Sequence, residues 1–126
     1  MARLVDAALV GLGGAVGALA RHLVGLWLVA RLGPAFPYGT LTVNVTGSFA
    51  AGVLLGIGDG RGLSTPARLL LVTGFLGGYT TFSAFAAETV RLAEQQSVVT
   101  AAANVAANLA VGFLAAVLGL ALGRAY

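Results

Sequence analysis

Cysteine and lysine are both absent from this 126-residue sequence, histidine occurs once, and only four residues are acidic. The first absence excludes disulfides and thiolate metal sites. One histidine and four scattered acids leave no Ser–His–Asp constellation and no His/Glu cluster at metal-ligand spacing, so enzyme readings fail on inventory. Charged residues make up 9% of the chain, and all seven basic ones are arginine. A net charge of +3 in so apolar a chain reads as loop and headgroup charge, with no nucleic-acid surface. What is abundant is hydrophobic: 59% of residues, with a mean hydropathy of +0.97. That lies far outside the soluble globular range and points to the lipid bilayer.

Four apolar stretches follow one another, over about residues 4–32, 38–57, 66–92 and 98–123. Each reaches the roughly 20 residues that cross a hydrocarbon core of about 30 Å. The turn "GPAFPYG" (33–39), the charged turn "GDGRG" (58–62) and Glu94-Gln95-Gln96 separate them. The expectation is an all-α membrane protein, residues 1–126 forming a single four-helix transmembrane domain. Arg3, an apolar run and Ala18-Leu19-Ala20 imitate a secretory signal. The run is long for that purpose, continues past Ala20 and carries Asp6 near its start, so a spanning helix is the better reading. Arg3, Arg61, Arg68 and Arg124 fall on the N-terminal side, Arg31 and Arg91 on the other. So small a bias is what insertion in both orientations would need, and two oppositely oriented copies could then pair.

Glycine, at 19 residues, forms a G-x-x-x-G pair in every span: Gly13/Gly17, Gly52/Gly56, Gly74/Gly78 and Gly119/Gly123. Such pairs let helix backbones approach closely in lipid. The glycine-rich "GLGGAVGALAR" (11–21) lacks the strand a nucleotide loop requires. His22, next to Arg21 near a helix end, reads as an interfacial residue. Thr40, Asn44 and Ser48 recur every four residues, as do Asn104, Asn108 and Gly112. Asparagine facing lipid is costly, so both stripes should point into protein or a water-filled path. Plain interhelical hydrogen bonding accounts for them equally well.

The stretch "GFLGGYTTFSAF" (74–85) is a poor recipe for a continuous helix. It predicts a third helix broken near the midplane, with Gly77 and Gly78 supplying conformational freedom and Thr80 one step beyond. The carbonyls freed at such a break carry the negative end of the helix dipole and can hold an alkali cation. Two chains meeting there would double the oxygens. Past the break, Phe82 and Phe85 share a face, with Thr81 four residues before Phe85. Aromatic ring edges are electropositive and can line an anion path without a fixed charge. Simple core packing is the competing explanation.

These motifs carry a family likeness. "GGAVGALAR" (13–21), "GTLTVNVTGSFAAG" (39–52) and "GFLGGYTTFSAFAAE" (74–88) resemble the Fluc family of bacterial fluoride channels, across all four spans. The resemblance implies an antiparallel, dual-topology homodimer in the bacterial cytoplasmic (inner) membrane, with two fluoride pores and a structural sodium ion on the two-fold axis. It implies that the backbone carbonyls of Gly77 and Thr80 hold the sodium. Phe82 and Phe85 become the pore phenylalanines, Asn44 the pore amide, and Ser83 and Thr81 part of the polar lining. Arg21 becomes a vestibule charge, and Glu88 matches a family acid with no role assigned. The chain departs from the pattern at His22, where an aromatic is common, and at Ala84, where a threonine hydroxyl is usual. Asn104 and Asn108 stand where a tyrosine and a serine are expected, and their amides could still donate to an anion. The implied activity is passive export of fluoride, trapped in the cell after entry as neutral HF. Two alternatives remain open on sequence: an exchanger of the small multidrug type, which needs a membrane carboxylate, and a non-conducting assembly subunit.

Overall fold

A computed structural model describes residues 1–126, and every regular element in it is helical. Helix α1 covers Ala2–Leu32 and α2 Tyr38–Gly60. The third span, Thr65–Gln95, comprises α3 (residues 65–79) and α4 (Phe82–Gln95). Helix α5 is the fourth span, Val98–Ala125. All four spans are long and apolar enough to cross a membrane, making this a multi-pass membrane protein. The second runs past Ile57, where the sequence suggests a turn, to Gly60. Asp59 there meets Arg124 at the end of α5, with N···O 2.8 Å, and the chain reverses instead at Gly62 with φ of 79°.

The interior is built from small and polar residues rather than large apolar ones. Nine of the 18 buried residues are glycines, while Trp27 and many leucines and valines face outward, with Val43, Leu28, Leu76 and Leu92 among the few large apolar residues inside. Burying apolar side chains gains little when lipid is the solvent, so close backbone contact takes over. The glycine pairs sort into two seams. In the first, α1 packs on α3: a Cβ at Gly13 would fall on the Leu70 carbonyl, at Gly17 on that of Phe75, and at Gly78 on that of Gly14. In the second, α2 packs on α5: a Cβ at Gly52 would fall on the Ala116 carbonyl, at Gly119 on that of Phe49, and at Gly123 on that of Val53.

Thr80 (φ −85°, ψ 159°) and Thr81 (φ −152°, ψ 119°) are extended, and they separate α3 from α4. The expected source of freedom is therefore misplaced. Gly77 is helical, at φ −60° and ψ −37°. The two threonines occupy a region open to any residue, and Gly78 serves close packing instead. Residues Arg68–Leu76 and Ala107–Val111 are wound as π-helix, a rare form that widens the turn. After the interruption α4 packs on the first half of α5. This leaves a polar region among α2, the interruption and α5.

Candidate functional site

The interruption is held by side chains, first among them Asn44. Asn44 Oδ1 accepts from the Thr81 N–H at 2.8 Å, and Asn44 Nδ2 donates to the Thr81 carbonyl at 3.0 Å. The amide thus pairs with an extended residue as a neighbouring strand would. In a continuous helix the Thr81 N–H would bond the Gly77 carbonyl, four residues back. Likewise the Ala84 N–H would bond the Thr80 carbonyl, but it donates to Thr81 Oγ1 at 3.2 Å, capping α4. Two side chains therefore divert the donors of Gly77 and Thr80. None of the backbone hydrogen bonds outside the helices ends on either carbonyl. Gly77 is exposed and Thr80 half-buried on the single chain.

From Asn44 the polar contacts continue inward as a relay. Asn44 Nδ2 also donates to Asn108 Oδ1 at 3.0 Å. Asn108 Nδ2 donates to the Asn104 carbonyl at 3.0 Å and to Asn104 Oδ1 at 3.1 Å. Asn104 Nδ2 donates to Thr89 Oγ1 at 2.9 Å, and Thr89 donates to the Phe85 carbonyl at 2.7 Å. Asn104 is fully buried, which is tolerable only because these partners satisfy it. The relay ties α2, α4 and α5 together.

Beside this relay the Phe82 and Phe85 rings meet edge to face, with centroids 5.8 Å apart. They differ in setting: Phe85 is 8% exposed and Phe82 78%. A groove of about 450 Å³ runs past both rings and is also lined by Asn44, Ser48, Gly77, Thr80, Thr81 and Asn108. A second cavity of about 460 Å³ is lined by Arg21, His22, Thr40, Thr81, Ala84 and Glu88. Thr81 lines both. Arg21 Nε donates to the Gly78 carbonyl at 3.0 Å, fastening α1 to the end of α3. Glu88 Oε1 accepts from Thr40 Oγ1 at 3.0 Å, while its Oε2 is buried with no partner. Ser83 is exposed, makes no side-chain hydrogen bond and lines neither cavity.

Residues 8–120 match the family described as CrcB-like protein, Camphor Resistance (CrcB). The chain belongs to the CrcB family. It is similar to a protein of Rhizobium meliloti (strain 1021), at 51% identity over 118 residues, covering 93% of this chain and 94% of that one. It is 50% identical over 116 residues to a protein of Acidobacterium capsulatum, covering 91% and 93%. With a protein of Sorangium cellulosum it shares 48% identity over 116 residues, covering 91% of each. All three relatives are named fluoride-specific ion channels.

Within this CrcB chain, the structure gathers Phe82, Phe85, Asn44, Thr81, Asn108, Gly77 and Thr80 around one groove. Asn104 lies behind it through Asn108, and Arg21 lines the neighbouring cavity. The sequence reading gives no site role to Thr89, Thr40 or Ser48. Thr89 stands four residues beyond Phe85, and the other two belong to the stripe that contains Asn44.

Proposed function

We propose that two oppositely oriented copies of this chain form a fluoride-selective channel in the bacterial cytoplasmic (inner) membrane, which releases cytoplasmic fluoride passively and confers fluoride resistance. The observation that carries this reading is the edge-to-face Phe82–Phe85 pair beside the interrupted third span, in a chain whose relatives are named fluoride-specific channels. Ring edges offer an anion positive electrostatic potential without the trap of a fixed cation. Phe82, Phe85, Asn44, Thr81, Asn108 and, behind them, Asn104 flank the path, from which Ser83 is set apart, and Arg21 contributes positive potential at its vestibule. Moving one charge through the membrane is worth about 2.3 kcal/mol per 100 mV, so the membrane potential alone expels the anion.

The break in the third span would lie near the midplane, where two chains meet. Sodium would bind the Gly77 and Thr80 carbonyls of both copies and join the dimer. The residues suit it: carbonyl oxygens are hard donors, and here the usual N–H partners of both are diverted, to Asn44 and to Thr81 Oγ1. The exposure of Phe82 fits a surface that a second copy covers.

Purified protein in liposomes tests the proposal, with efflux followed by fluoride- and chloride-selective electrodes. Rapid fluoride efflux with no chloride efflux is expected, lost together with the dimer when sodium is removed. Equal rates for the two anions, or none for fluoride, would refute it. Cation flux coupled to protons would instead favour an exchanger using Glu88, whose unpartnered oxygen is the feature such a reading needs.

A further inference from the structure

The single histidine is the residue that neither the packing nor the proposed path absorbs. Six residues of α1 line the cavity of about 460 Å³: Ala18, Arg21, His22, Gly25, Leu26 and Val29. Their three- and four-residue spacing is that of one helical face, so His22 is turned to the cavity, within the first span. It makes no side-chain hydrogen bond and no ion pair. Glu88, which enters from α4, has the matching deficit: Thr40 donates to Oε1, while Oε2 is buried with no partner. A buried carboxylate oxygen without a donor is costly. An unpartnered imidazole and an unpartnered carboxylate oxygen thus border one cavity.

The charge balance there turns on the imidazole. The charged groups that face His22 are Arg21, on its own helix, and Glu88 on α4; α2 contributes the neutral Thr40. Arg21 is held in place by its bond to the Gly78 carbonyl. One positive and one negative side chain offset each other, so His22 decides the sign of the potential an anion meets. Thr81 joins this cavity to the groove beside the rings. Gly39, Thr40 and Glu88 are also shared with a cavity of about 320 Å³, which holds Tyr38 and Arg91 as well. That cavity reaches the exposed Gln95 and Gln96 at the end of the third span, and so opens toward water. Histidine is the side chain whose charge ordinarily changes between about pH 5 and 8.

We infer that His22 makes conduction through this chain respond to pH: protonated, it offsets the Glu88 carboxylate and adds positive potential beside the anion path, and neutral it does neither. This inference rests on the fluoride-channel reading and deepens it by naming the group that regulates the path. An aromatic at this position, common in the family pattern, takes up no proton in that range. The response therefore belongs to chains that carry histidine here.

The test is fluoride current across a planar bilayer holding the reconstituted protein, with equal sodium fluoride on both sides. The same bilayer is perfused from about pH 8 to about pH 5.5, a range that spans histidine's ordinary titration. Neutral HF carries no current, so its leak through lipid does not register. Wild-type current should rise at least about threefold on acidification, as a cleft that gains one charge of the attracting sign draws in more anion. His22→Tyr should abolish the rise, and His22→Arg should hold the higher current at both pH values. Equal wild-type currents at the two pH values would overturn the inference. So would a rise that survives in His22→Tyr, which would pass the response to Glu88. If His22→Tyr fails to assemble, His22→Arg decides alone, and a rise retained there would overturn the inference. A wild type that carries no fluoride current at either pH would overturn the channel reading, and this inference with it.

Discussion

The glycine seams and the asparagine relay both join helices inside the bilayer, by opposite means. At Gly17, Gly78, Gly52 and Gly119 the backbones meet because there is no side chain, and a Cβ would land on a neighbouring carbonyl. At Asn44, Asn108 and Asn104 helices are joined through side chains that saturate one another. The first kind of contact is intolerant of added volume and indifferent to polarity. The second is intolerant of a lost partner and tolerant of reshaping. The seams lie along α1–α3 and α2–α5, while the relay holds the interrupted third span beside the rings. Close helix packing and the shape of the polar groove thus rest on different chemistry within one small bundle.

The largest effect should come from filling a seam. Gly119→Val should cost about 3 kcal/mol or more through overpacking, seen as loss of a monodisperse peak in detergent. Gly11, on the same helix as Gly17, has nothing within 4 Å of a Cβ. Gly11→Ala should leave stability unchanged or raise it by up to about 1 kcal/mol, so equal damage from both would break the steric account. Next, Asn104→Leu should destabilise by about 1–3 kcal/mol, because Thr89 and the Asn108 amide lose a buried partner; thermal unfolding in detergent measures it. Phe82→Ile and Phe85→Ile should each lower the unfolding temperature only modestly. Both should cut fluoride throughput by at least about tenfold, an effect of roughly 1.4 kcal/mol. Wild-type rates in both would reduce the rings to packing. The smallest change belongs to the rim: Arg124→Ala removes an exposed pair with Asp59 and should cost no more than about 1 kcal/mol.

Much of this was legible in the residues, and the gaps have physical causes. The four spans follow from length and hydropathy, and the G-x-x-x-G pairs announce close contact. Spacing cannot say which pairs meet, because that depends on the order of helices around the bundle. The two asparagine stripes point inward by cost alone, yet the direction of their hydrogen bonds depends on Thr81 being extended. "GFLGGYTTFSAF" signals a weak helix, but the glycines proved to be packing residues and the threonines the ones that leave the helix. The helix yields where side chains can capture its hydrogen bonds: Asn44 takes the Thr81 N–H and Thr81 takes that of Ala84. Shared spacing put Phe82 and Phe85 on one face and could not show that only one is covered within the chain. The π-helical turns at Arg68–Leu76 and Ala107–Val111 have no evident sequence signal.

The central claim is that the groove beside the ring pair selects fluoride, and a planar-bilayer recording tests it most directly. With fluoride on one side, chloride on the other and the cation held constant, the current should reverse only at a potential set by fluoride. A reversal potential near zero, showing that the two anions pass equally well, would contradict the account.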